Sequence, residues 1–354
     1  MLYIHQHTCI SPQQTFDNID IEPLNECVDN KLKAKEPAYD GIPHGILRRM
    51  GKAVRMGVGA AIPIVKNNPS LNGIIIGTAN GGMEDCIKFL NQIIDYEEGM
   101  LTPGNFVQST PNAIAAQLGL MSRNKSYNIT HVHRGLAFED ALIDAAMMIK
   151  ENPGNSYLLG AVDEISTYNY NIDFLDGWYK KENCSNKDLY NSESPASIAG
   201  EGAAMFLVND TAEGASAKVR AIKTLHTEDE NSLKEQLKLF IERNLTTNET
   251  PDLLITGENG DTRLLKYYQA CEAAVDKKVA IARYKHMSGE YPTTSSFAVW
   301  LACIILQHPQ LPQHIIKRPG TSVVYKNIIL YNNYKGRQHV FILLSIASED
   351  QIPI

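Results

Sequence analysis

The chain has 354 residues, 44% hydrophobic and 21% charged, enough for one large domain or two packed halves sharing a core. A net charge of −7, with no dense basic block, argues against electrostatic nucleic-acid binding. No apolar stretch approaches the roughly 20 residues of a membrane span, and Met1 to His7 lacks a signal pattern, so a cytoplasmic protein without membrane contact is expected.

In chain order, Leu2 to Ile10 reads as a first strand closed by Ser11-Pro12, and residues 13 to 40 are polar and irregular. A helix is expected from about Ile46 to Lys66. Gly73 to Gly77 is a continuous apolar run, a strand buried on both faces. The Gly81-Gly82 turn leads into a helix from Met83 to about Ile94. A second helix (Pro111 to Leu120) leads to a strand at about Lys125 to His133, a helix over Leu136 to Lys150 and a buried strand, Tyr157 to Val162. Residues 166 to 195 read as an irregular surface excursion, with 167 to 179 an ordered Tyr-rich loop. Gly200 to Val208 is a turn feeding a strand.

The second half repeats the order. Strands at Ala217 to Thr224, Asp252 to Thr256 and Val279 to Ala282 alternate with helices at Glu230 to Arg243, Arg263 to Ala274 and Thr293 to Gln307. A hairpin, Thr321 to Tyr331 and His339 to Ile346, closes it. The alternation implies an α/β fold from two similar halves, divided as 1–210 and 211–354. Six cysteines without CxxC spacing fit reduced thiols, with Cys9 buried and Cys184 exposed; no metal or cofactor is expected.

Several short motifs occur in a telling order. They are Arg48 to Lys52, Gly77-Thr-Ala-Asn-Gly-Gly82, Thr110-Pro-Asn112, Gly160-Ala-Val-Asp163, Gly200-Glu-Gly-Ala-Ala204 and Lys285-His-Met-Ser-Gly289. Together they resemble the β-ketoacyl synthases of fatty-acid and polyketide synthesis, with the Gly-Glu-Gly-Ala turn the most specific match. The resemblance implies a thiolase-like five-layered αβαβα fold. It also implies a dimer in which the strand Lys125 to His133 pairs with its counterpart across a two-fold axis.

A condensing enzyme of that family uses a thiolate nucleophile and two imidazoles. Anchoring on Ala141, Ala145 and Ala146 puts the nucleophile position on Gly135, or by a slip of one residue on Arg134 or Leu136. No cysteine lies between Cys86 and Cys184. The segment in place of the first imidazole's is Gly257-Glu258-Asn-Gly-Asp261, which has no His. The second imidazole's position holds Glu290, an acceptor where a donor is required. Lys285 remains as a supporting residue. The family's glycine-rich gating loop is replaced by Asn332-Asn333-Tyr-Lys335-Gly-Arg-Gln-His339.

His131 and His133 fall on one face of a strand. A metal site there needs a third ligand such as Glu139 or Glu290; a dimer-interface pair or hydrogen-bonded core histidines are the simpler reading. Arg134 stands at a helix start, where a cation opposes the dipole. It pairs with an acid (Glu139, Asp140 or Glu290) and plugs the pocket, or it contacts a phosphate or carboxylate. Lys285 also has Glu290 within reach, five residues on.

By this resemblance the chain is a degenerate, non-catalytic subunit resembling the chain-length-factor-like partners of active ketosynthases in polyketide, aryl-polyene and flexirubin-type systems. Its expected partners are such a synthase, as a heterodimer, or a second copy, with an acyl carrier protein. Two alternatives stand beside it. One is an acyltransferase or hydrolase of altered mechanism using His131, His133 or Glu290 on the same fold; the other is a homodimeric acyl-binding or regulatory protein.

Overall fold

The structure, a computed structural model, describes residues 1–347. Strands and helices alternate in two rounds. The first comprises β1 (Leu2–Ile10), α1 (Lys52–Asn67), β2 (Gly73–Gly77), α2 (Met83–Asp95), α3 (Ala113–Ser122), β3 (Tyr127–His131), α4 (Ala137–Glu151), β4 (Tyr157–Asp163), α5 (Thr167–Leu175) and β5 (Gly202–Asn209). The second comprises β6 (Ala217–His226), α6 (Glu230–Asn244), β7 (Leu253–Thr256), α7 (Leu265–Glu272), β8 (Ala280–Arg283), α8 (Ser295–Gln307), β9 (Asn327–Tyr334) and β10 (Gln338–Ser345).

Laterally the first round runs β1-β5-β4-β2-β3 and the second β6-β10-β9-β7-β8. In each, the first two pairings are antiparallel and the last two parallel. Order and direction therefore coincide strand for strand. Leu2, Tyr3 and Ile4 pair with Val219, Lys218 and Ala217, so the two sheets are continuous at one edge. The division expected at 210/211 falls in the turn between β5 and β6.

Side-chain alternation along the strands sorts the core into layers. On β2, Ile74 and Ile76 pack outward with Val58 and Ile62 of α1 and Ile114 of α3, while Ile75 points inward. On β7, Leu253 and Ile255 point inward and Leu254 outward, among Leu237 of α6 and Tyr268 of α7. Phe138 and Leu142 of α4 and Phe297, Trp300 and Leu301 of α8 fill the space between the sheets. Only Ile304 and the terminal Gln307 of α8 escape full burial, because a helix with a sheet on each side must be apolar all round. The result is the thiolase-like five-layered αβαβα arrangement.

Four sequence expectations are corrected. The helix expected from Ile46 breaks over Arg48–Gly51 and restarts at Lys52, since Gln108 binds both the Gly51 N–H and the Arg49 carbonyl across the break. The Tyr-rich segment is a helix rather than a loop. Ser166 caps it by accepting the Asn169 N–H at 3.2 Å, and Tyr170 stacks on both Phe174 and Tyr179. The edge strand is shorter than expected, Tyr127–His131, and the hairpin starts at Asn327, not Thr321.

Candidate functional site at the strand-to-helix elbow

Two buried carboxylates fasten the glycine motifs to their surroundings. Asp163, at the end of β4, accepts from Thr78 Oγ1 (3.1 Å), Ala79 N (3.0 Å), Asn80 N (2.9 Å) and Thr293 Oγ1 (2.8 Å), tying the glycine-rich turn to the start of α8. Burial raises its pKa, and these four donors oppose the rise. Glu201, wholly buried, accepts from Lys52 Nζ, Ala34 N (2.8 Å) and Ile165 N (2.9 Å). Beside it Gly200 and Gly289 touch: a Cβ on Gly289, whose φ is +70°, would lie 2.5 Å from Gly200 Cα.

The elbow follows β3. Arg134 adopts φ +49°, and a 3₁₀ turn over Arg134–Leu136 opens α4. Gly77 permits this, since a Cβ there would meet the Ala137 carbonyl oxygen at 2.5 Å. Gly135 is buried under Tyr334, and its N–H donates to Gln338 Oε1 at 3.1 Å. In a condensing enzyme an amide at such an elbow serves the developing oxyanion. Here it is taken.

Arg134 points outward and makes no ion pair with a described residue; neither Glu290 nor Glu139 reaches it, and Asp140 binds His133 instead. It lines an open cleft of about 730 Å³ with Trp178, Arg263, Tyr334, Lys335 and Gln338. Lys335, also left-handed at φ +54°, is held by Asp173 at 2.6 Å. Asn333 is turned into its own loop, accepting from Gly336 N at 3.1 Å, and does not line the cleft. Tyr334, not Arg134, covers the elbow.

Beneath lies a closed polar group. Lys285, wholly buried, donates to Glu290 Oε2 at 2.6 Å, and Asn259 Nδ2 donates to the same oxygen at 2.7 Å. Burial lowers the Lys285 pKa while Glu290 opposes it. Glu139 is also wholly buried, with both carboxylate oxygens lacking a partner among the described residues; burial pushes its pKa up to about 7. Glu258 serves an ion network, accepting from Arg283 at 3.1 Å and from Lys317, which also binds Glu272 at 2.7 Å.

The two histidines do not converge. His131 binds Asp144 at 3.0 Å, while His133 binds Asp140 at 2.8 Å and stacks on His226 with centroids 5.9 Å apart. Glu139 lies inside the core and Glu290 is partly buried against Lys285, while His133 is exposed. Among the described residues no group of three His, Cys, Asp or Glu side chains could hold a metal ion. Nor is any described helix long and apolar enough to cross a membrane.

Sequence reasoning missed Tyr334, Gln338 and Asn259. Gln338 and Tyr334 stand in the segment that replaces the gating loop, yet nothing in their types announces contact with a residue two hundred positions earlier.

Residues 25–176 match the family described as "Beta-ketoacyl synthase, N-terminal domain". No curated protein matches the sequence. Among solved structures, a β-ketoacyl synthase from Burkholderia phymatum STM815 superposes with a TM-score of 0.76 at 13% identity, over 98% of this chain and 99% of that one. The ketosynthase ApeO in complex with its chain length factor ApeC, from Xenorhabdus doucetiae, gives 0.74 at 11% identity, over 98% of each chain. A type II polyketide synthase acyl-carrier protein in complex with its ketosynthase (AntDE:AntF) gives 0.73 at 14% identity, over 97% and 99%. Residues 25–176 thus match a β-ketoacyl synthase N-terminal domain, in a chain whose thiolase-like fold is similar throughout to that of the solved ketosynthases.

Proposed function

We propose that this chain is a non-catalytic, chain-length-factor-like subunit, a pseudoenzyme of the cytoplasm that pairs with an active ketosynthase serving an acyl carrier protein. The observation carrying this reading is the elbow. Gly135 and Arg134 offer no nucleophile, Tyr334 covers the glycine, and the Gly135 amide is spent on Gln338. Glu258 and Glu290 are each engaged by a cation and supply no imidazole.

Pairing is supported from a second side. β3 is the outermost strand, with no strand beyond it among the described residues. Nearby α2 buries none of its 13 residues, and Leu90, Ile94, Phe106, Val107 and Val132 are exposed. The named complexes of a ketosynthase with a chain length factor or a carrier protein provide the precedent on this fold. A homodimer is the outcome to separate from this. The acyltransferase or hydrolase alternative gains little, since His131 is held by Asp144 and Glu290 by Lys285 and Asn259.

The test is co-expression with an intact ketosynthase, followed by decarboxylation and condensation assays on carrier-bound malonyl substrates. The chain alone is expected to match the blank, and the pair to turn over until the partner's cysteine is replaced. Turnover by the chain alone, lost on His131→Ala or Glu290→Ala, would overturn the proposal.

A further inference from the structure

Cys27 and Cys184, 157 positions apart, meet where the N-terminal meander packs on the loop after α5, with Cys27 Sγ 2.9 Å from the Cys184 carbonyl oxygen. Both are free and half-buried as residues. Hydrogen bonds already hold the two segments together. Cys184 N donates to Asn30 Oδ1 at 2.8 Å, Asn30 Nδ2 to the Glu182 carbonyl at 2.8 Å, and Cys27 N to Asn186 Oδ1 at 3.0 Å. Asn186, wholly buried, reaches on to the carbonyls of Asn25 (3.0 Å) and His286 (2.8 Å). Fixed bond lengths then keep the two Cα atoms within about 8 Å, against roughly 4.4–6.8 Å across a disulfide.

We propose that Cys27 and Cys184 form a redox-reactive dithiol that closes to an intramolecular disulfide by exchange with a low-molecular-weight disulfide such as oxidised glutathione. Cys184, whose sulfur lies at the surface beside the Ser185 carbonyl at 3.5 Å, reacts first. Its thiolate attacks one sulfur of the reagent, breaking that S–S bond and expelling one thiolate. Cys27 thiolate then attacks Cys184 Sγ, forming the protein disulfide and expelling the second. Two protein thiols are oxidised, one reagent disulfide is reduced, and the two thiol protons pass to the two leaving thiolates. Burial raises both thiol pKa values, so exchange accelerates with pH. Cys9, Cys271 and Cys303 are buried beyond reach, and Cys86 has no second cysteine on its helix.

The bond would clamp the meander whose residues Lys31 and Leu32 pair with Ala199 and Gly200, directly beside Glu290. The test treats the folded wild-type chain with oxidised glutathione at about pH 8, then maps alkylated peptides by mass spectrometry. A Cys27–Cys184 crosslinked peptide two mass units lighter than the sum of its parts, removed by dithiothreitol, is expected. The oxidised chain should melt a few degrees higher, and C27S or C184S should each give one glutathione adduct on the remaining cysteine. Adducts on both Cys27 and Cys184 without a crosslink, or no reaction at either, would overturn the proposal. Because the wild-type map needs no variant, a folding defect in C27S or C184S does not obscure the answer.

Discussion

A Cβ placed on Gly135 would stand 2.1 Å from Tyr334 Cβ and 2.5 Å from its Cγ, so the elbow glycine and the ring above it fit only as a pair. Gly135→Ala is therefore expected to destabilise the fold by about 1–3 kcal/mol through overpacking. Combined with Tyr334→Gly, which removes the obstructing carbon, it should cost less than the two single changes summed. Urea unfolding of the four proteins measures this, and strict additivity would show that the ring does not press on the elbow.

Removing Glu290 strands Lys285, which has no exposed surface and whose only ion-pair partner among the described residues is that carboxylate. Glu290→Ala should cost roughly 3–5 kcal/mol, well beyond an ordinary surface change. Glu290→Gln, which keeps an acceptor for Lys285, should cost less. Glu290→His should not bring condensation, as no nucleophile stands at the elbow. A Glu290→Ala chain as stable as wild type in denaturant titration would count against the pair's structural role.

Glu139 makes stability depend on pH. Its carboxyl is raised from the ordinary 4.5 to about 7, so between those values the folded chain holds a proton that the unfolded chain releases. Its contribution is fully present below about pH 4.5 and declines as pH rises, reaching a loss of about 3 kcal/mol above pH 7. Glu139→Gln should flatten this part of the stability profile and raise stability at pH 8 relative to wild type. Parallel profiles for the two proteins would remove Glu139 as the source.

The exposed apolar residues on α2 predict where association is lost. Ile94 and Leu90 are 74% and 50% exposed, so Ile94→Lys with Leu90→Lys should leave the melting temperature within a few degrees of wild type. Sedimentation of the chain with its candidate synthase should then show separate species where the wild-type pair co-sediments. Undiminished co-sedimentation would move the interface elsewhere.

Much of this protein was legible before any coordinates. Continuous apolar runs such as Gly73–Gly77 and Tyr157–Val162 announce strands covered on both faces, because only full burial tolerates such a run. The missing cysteine between Cys86 and Cys184 is likewise a property of the sequence alone. Even the Lys285–Glu290 pair was in reach, because a short turn ending in Gly289 separates them.

What the sequence left open was which distant side chains share a site. Arg134 and Glu290 carry opposite charges at two expected site positions, yet the fold turns one to solvent and gives the other to Lys285. Glu139 looked like a partner for an exposed cation, but its place on the inward face of α4 sealed it between the sheets. Gln338 reaches the Gly135 amide across 203 positions only because β10 and the elbow abut in the folded chain. Local pattern records which face of an element avoids water. Pairing across such separations is decided by the packing of layers, which sets the distance between groups that no local periodicity relates.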